Sequence, residues 1–185
     1  MALKGLPGSH EWARAIVNAA WRQVFGRDPS ETEAQGVQAV ASLETNYGRG
    51  QGRNNWGSVH ASGGDCTSGT DTDAGGKRYT TCFKNYASPQ AGAVDLIRTM
   101  VKPNVAGPLR SGSASRVARA MHANRYFELD PSAYAERIEA RAKIIAGALG
   151  EAWTFRRTNA FLGLLALGAV AGGGFLWYRK GYTHV

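Results

Sequence analysis

The sequence predicts a mostly α domain with a small irregular β-hairpin lobe, followed by one C-terminal transmembrane helix. Three observations predict it. Five stretches carry helix signals, either apolar periodicity or paired start and stop residues. A polar stretch over 48–82, rich in Gly, Ser, Thr, Asn and Asp, interrupts them after the second. The run from 160 to 178 carries no charge.

The first helix is expected over 9–25, where Trp12, Ile16, Ala20 and Val24 recur at helical spacing. Ser30 and Glu33 form a capping-box pair that starts a second helix reaching about Asn46. Gly48 and Gly50 stop it. Within the polar stretch, "KRYTTCF" clusters aromatic and β-branched residues and reads as part of a small hairpin. A third helix opens at Ser88-Pro89 and runs to about Val101. "KPNVAGPLRSGS" reads as a linker, and a fourth helix covers 113–123. A fifth opens at Asp130-Pro131 and ends near Gly150.

The C-terminal run is long enough to cross a hydrocarbon core at about 1.5 Å per residue. Arg156-Arg157 and Arg179-Lys180 flank it, and Trp177 and Tyr178 lie where an interfacial belt would be. The competing reading is a buried core helix, but little chain is left to cover it. Gly168 and Gly172 permit close pairing of two such helices, hence a homo-oligomer. The expected organisation is a domain over 1–150, a basic linker over 151–158, a transmembrane helix over 159–178 and a short polar tail over 179–185.

The formal net charge is +8, but no Lys/Arg run reaches five residues. Scattered charge of this kind suits cell-wall polymers, anionic head groups or an acidic protein as well as it suits nucleic acid, and no nucleic-acid partner is expected. The N-terminus, interrupted by Pro7 and Gly8, has no signal-peptide core.

Glu44 carries the chemistry. Val37, Val40, Ala41 and Glu44 share one helical stripe, so the carboxylate continues the apolar face. It also sits in the last turn, against the negative end of the helix dipole. Both effects favour the protonated form, which a general acid needs. The alternative is a glutamate at the stripe's edge, snorkelling to water or salt-bridged. Tyr47 stands in position to bond or stack beside the acid. Asn54, Asn55 and Trp56 offer amide donors and a flat apolar face, materials suited to a sugar ring.

"ASLETNYGRG…NNWGSVHA" resembles the signature of bacterial and phage peptidoglycan glucosaminidases, glycoside hydrolase family 73, in the lysozyme-like group. "FKNYASPQAGAVDLIRTM" is similar to that family's Phe-x-x-Tyr-x-Ser segment, and "MHANRYFELDPSAYAERIEARAKII" to its closing helix. The order is intact over roughly residues 10–148. The resemblance implies a lysozyme-like α+β fold, peptidoglycan glycan strands as substrate and Glu44 as general acid. It places Tyr126 near the cleavage point, with core packing as the other reading. Asn54, Asn55 and Trp56 would line the groove.

The family often has a second carboxylate in the hairpin lobe. Here Asp71 and Asp73 fall in that window, with Asp65 slightly earlier. Aspartates in so polar a loop are also common turn formers. Inverting hydrolysis needs a base to activate water, whereas a lytic transglycosylase uses one acid and the substrate's own C6 hydroxyl; both stay open. "DTDAGG" hints at a calcium loop but lacks the later acid, so no metal and no cofactor is expected.

Cys66 and Cys82 bracket the polar lobe. A bridge would close a loop of about 17 residues, worth about 3 kcal/mol in the chain-entropy model; two unrelated thiols are the alternative. A disulfide and a wall substrate both place the domain in the periplasm or cell wall. With no export signal, carriage in a virus particle, with virion proteins and a virion membrane as partners, is the favoured expectation. A phage lysis enzyme and a bacterial wall-remodelling enzyme follow. A non-catalytic structural or wall-binding protein on the same scaffold is the competing function.

Overall fold

The structure, a computed structural model, describes residues 5–73, 75–127 and 129–155. In chain order its elements are α1 (His10–Phe25), α2 (Glu31–Thr45), β1 (Cys66–Thr72), β2 (Arg78–Lys84), α3 (Pro89–Met100), α4 (Pro103–Arg110), α5 (Ala114–Ala123) and α6 (Pro131–Leu149). The architecture is mostly helical with one two-stranded antiparallel sheet, as expected.

Helix α2 is the hub, packing against α1, α3, α4 and α6. Ser30 caps it and Glu33 closes the capping box. The Glu33 carboxylate is buried, yet every acceptor direction is used. Oε2 takes the Ser30 N–H at 2.8 Å and Arg27 Nη1 at 2.9 Å; Oε1 takes Arg27 Nη2 at 2.8 Å and Arg110 Nε at 3.3 Å. Burial alone would raise Glu33, but Arg27 and Ser30 override it and hold it at about 2. Gly36 faces this packing too. A Cβ there would lie 2.6 Å from Leu109 Cδ1 and 2.8 Å from Phe155 Cε2, so only glycine lets the three segments meet.

The hairpin expected around "KRYTTCF" is β2, and its partner β1 comes from the polar stretch. The register sets Asp71 opposite Tyr79 and Ser68 opposite Cys82. Cys66 and Cys82 form a disulfide running diagonally across the strands, with Cα atoms 5.6 Å apart. Phe83 is the one residue of either strand that is buried. The lobe has almost no core of its own.

Two expectations are corrected. The stretch read as a linker over 102–113 contains α4. Pro103 opens that helix, where a missing N–H costs nothing, and Val105 and Leu109, four apart, are both fully buried. Pro108 forfeits one hydrogen bond, and the packing outweighs it. The domain also extends past 150. Arg14 holds Glu151 by two hydrogen bonds of 2.5 and 2.7 Å. The buried Gln35 amide donates to Ala152 O at 2.7 Å and accepts from Thr154 N at 3.1 Å and Phe155 N at 3.3 Å. Phe155 is fully buried. Residues 151–155 are therefore a docked strap.

Among the described residues no helix is long and apolar enough to cross a membrane. The run over 159–178, with Gly168 and Gly172, and the tail over 179–185 lie outside the described residues.

Phe155→Ala should cost about 3–5 kcal/mol, as expected for an aromatic in a closed core, and urea denaturation measures it. A loss under about 1 kcal/mol would mean that the strap is not part of the folded unit.

Candidate functional site

Glu44 lies in the last turn of α2, just before the chain reverses through left-handed Asn46 (φ 48°) and Tyr47 (φ 63°). Its side chain is half-buried, and the Tyr134 hydroxyl of α6 donates to Oε1. Tyr134 is itself held by stacking on Phe127, with ring centroids 3.7 Å apart. Burial raises the Glu44 pKa; the Tyr134 hydrogen bond opposes that rise and the negative charge of Asp71 adds to it. The net direction is upward, as the apolar stripe implied. Burial and the Glu44 charge push the Tyr134 phenol well above its ordinary value, so it stays a neutral donor. An open hollow of about 440 Å³ borders Glu44, Asn46, Arg49 and Arg141.

A short segment over 55–60 ties this acid to the hairpin. The Asn55 side chain is fully buried and bonds only to backbone. Its Oδ1 accepts from Gly57 N at 3.4 Å and Val59 N at 2.9 Å; its Nδ2 donates to Val59 O at 2.9 Å and Lys84 O at 3.1 Å. With those residues pinned, Gly57 O accepts the Tyr126 hydroxyl at 2.8 Å. Ser58, left-handed at φ 51°, donates to Glu44 O at 3.3 Å. Val59 O accepts from Lys84 N at 2.9 Å, extending the hairpin. His60 Nε2 lies 2.8 Å from Asp71 Oδ2. Four successive residues thus reach Tyr126, Glu44, β2 and Asp71 in turn.

The other expected site residues divide accordingly. Asp71 is in β1, near enough for its charge to act on Glu44. Asp73 is not brought to the acid. It forms the hairpin turn, accepting Lys77 N at 2.9 Å on Oδ1 and Gly76 N at 2.9 Å on its carbonyl. Tyr126 joins the site through Gly57, and it also packs against the core. Burial and then Glu44 raise its phenol well above the ordinary value.

The substrate-facing roles expected of Tyr47, beside the acid, and of Asn55 and Trp56, in the groove, are corrected, because all three are buried. The Tyr47 hydroxyl lies 2.7 Å from His10 Nδ1, pointing into the helical core, and burial pushes it up to about 12. Trp56 packs between Trp12 and Tyr47, with ring centroids 5.8 Å from each. A tryptophan in a Gly/Asn loop does pack on something, and that something is the protein. Asn54 is half-buried and left-handed at φ 56°, and its Nδ2 donates to Tyr86 O at 3.0 Å.

Sequence reasoning missed Tyr134 and His60. Tyr134 stands in the "DPSAYAERI" segment, four residues after the Asp130 cap, and that register was its only signal. His60 had none: a lone histidine in a polar loop gives no hint of its partner across the hairpin.

No protein-family model and no curated protein sequence matches the chain. Among solved structures, the fold is similar to a peptidoglycan hydrolase from Sphingomonas sp. A1, at 22% identity and TM-score 0.52, covering 74% of this chain and 92% of that one. It is similar to the glycoside hydrolase domain of FlgJ from Salmonella typhimurium, at 21% identity and TM-score 0.51, covering 77% and 91%. The likeness is one of fold.

A carboxyl group with a raised folded-state pKa binds its proton more tightly folded than unfolded. The stability this confers is full below the ordinary value of 4.5 and is lost as pH rises through the folded value. Glu44→Gln stays neutral at every pH and still accepts from Tyr134. Its thermal midpoint should therefore exceed that of wild type at pH 8, with the margin shrinking toward pH 4. A lower midpoint at pH 8 would contradict a penalised carboxylate.

Proposed function

We propose that the chain cleaves the β-1,4 glycan backbone of peptidoglycan by general acid catalysis, with Glu44 as the acid. The observation that carries this reading is the half-buried Glu44 carboxyl beside Tyr134, with its pKa raised by burial and by Asp71. Two neighbours by fold are a peptidoglycan hydrolase and a glycoside hydrolase domain, which supports the substrate class.

In this reading Glu44 protonates the glycosidic oxygen as the bond to the anomeric carbon breaks. The Tyr134 hydroxyl holds Oε1, leaving Oε2 for the proton that is transferred. The Glu44 carboxylate left behind is the penalised state, so the acid readily recovers its proton. Asp71 is the base: it removes a proton from the water that attacks the anomeric carbon. Tyr126 and Gly57 form the wall between acid and lobe. Hydrolysis is the favoured outcome because the lobe supplies this second carboxylate, and attack by the sugar's own C6 hydroxyl is the competing one.

The apolar run over 159–178 anchors the enzyme in a membrane in this proposal. A disulfide and a wall substrate support a domain working in the periplasm or cell wall. Carriage in a virus particle, for wall penetration, is the delivery route in this proposal.

Zymography on peptidoglycan should give a clearing zone for wild type, and Glu44→Gln should lose about 10²–10⁴-fold of activity, the scale of a general acid. Equal zones would sink the enzyme reading in favour of a wall-binding scaffold. Mass spectrometry of the released muropeptides should find reducing-end sugars; anhydro-muramic products would instead identify a transglycosylase. Immunodetection in purified phage particles should find the chain, and its absence there would overturn the virion role alone.

A further inference from the structure

His60 has no part in the reaction described above, yet its ring is fixed on three sides. Its backbone forms a β-bridge with Phe83. The imidazole stands edge-on to the Phe83 ring, centroids 5.0 Å apart at 84°, and to the Tyr79 ring, 6.2 Å apart at 81°. Its Nε2 lies 2.8 Å from Asp71 Oδ2. A solvent-exposed ion pair contributes little stability, and here the side chains are 39% and 40% exposed. Stability is a weak reason for so constrained a ring.

The acceptor count at Asp71 gives a stronger one. An ionised carboxylate offers about four lone-pair directions. Oδ2 takes His60 Nε2 at 2.8 Å and the Tyr79 hydroxyl at 3.5 Å; Oδ1 takes Thr72 N at 2.8 Å. Among the described residues one direction remains, on Oδ1. With three of four fixed by three residues, the carboxylate presents one defined acceptor to a water. The geometry is tied to the acid as well, since Ser58, two residues before His60, donates to Glu44 O at 3.3 Å.

We infer that His60 is a positioning residue for the second carboxylate: its Nε2–H fixes Asp71 so that one Oδ1 lone pair faces the water attacking the anomeric carbon. The inference rests on reading Asp71 as the base. His60 touches neither sugar nor water and acts through Asp71.

The test uses the full chain and solubilised, uncrosslinked peptidoglycan strands. His60→Phe keeps a ring against Phe83 and Tyr79 but removes the donor. Its kcat should fall about 10- to 100-fold, with KM within about twofold. His60→Gln places an amide N–H near the Nε2 position and should recover kcat to within about threefold of wild type. The double variant His60→Phe/Asp71→Asn should be no slower than Asp71→Asn alone, because the histidine acts only through the carboxylate. Thermal midpoints confirm that each variant is folded. If phenylalanine is not tolerated, the contrast between His60→Gln and His60→Asn, whose shorter amide cannot reach Oδ2, replaces it.

Wild-type kcat in His60→Phe, with Asp71→Asn inactive, overturns the role of His60 and leaves the base standing. Losses in the two single variants that multiply in the double variant also overturn it, marking two independent effects. Wild-type kcat in Asp71→Asn overturns the base assignment and this inference together.

Discussion

The buried amide of Asn55 is the constraint on which the rest of the site depends. A hydrophobic contact could hold the lobe against the helices but could not set its register. Asn55 has two donors and an acceptor with two lone pairs, and it uses all four on backbone groups. Those groups lie on both the 55–60 segment and β2, so one side chain fixes the offset between them. Removing a partner from such a buried set leaves stranded polar groups at about 1–3 kcal/mol each. The offset decides where Gly57, Ser58 and His60 fall, and through them the relative places of Tyr126, Glu44 and Asp71.

The two ends of α2 show how one helix tunes two glutamates in opposite directions. Glu33 and Glu44 are both withdrawn from water. Glu33 sits at the N-terminus, where free N–H groups and the dipole favour an anion, and Arg27 and Arg110 add hydrogen bonds. It is held at about 2 and serves structure. Glu44 sits at the C-terminus, where carbonyls point outward, and its partner is a neutral phenol instead of a guanidinium. One helix therefore carries a permanent anion at one end and a carboxyl ready to hold a proton at the other. The stability given up at Glu44 is affordable because the helix between them is almost wholly buried.

Much of this was legible in the sequence because it is local. Caps at Ser30, Ser88 and Asp130 are read from residue type and spacing, and the structure uses each of them. The apolar stripe leading to Glu44 is a matter of period alone, and so is the direction of its pKa. What failed was long-range. Helix α4 is written in Pro and Gly and is held by the burial of Val105 and Leu109, which no local rule can see. Trp56 and Asn55 read as sugar-binding because their residue types suit a sugar, yet the same surfaces suit the interior equally well. Nothing in a list of side chains says which one they meet. Residues 151–155 looked like a linker because Gly150 stops α6, but Gln35, far away in sequence, captures the backbone beyond it.

Polar staples, and not a core, hold the lobe together. One buried phenylalanine cannot order two strands, so order comes from pinned polar groups. The disulfide closes the base of the hairpin, Gln51 Nε2 donates to Thr70 O at 2.7 Å, and Asn85 Oδ1 receives Arg53 N at 2.6 Å. Each of these contacts joins the lobe to its own base or to the segment leading into it. The lobe is thus fastened at its root and exposed along most of both strands. The residues that place Asp71 are accordingly within the lobe and at its root, and its relation to Glu44 is set through the backbone groups that Asn55 pins.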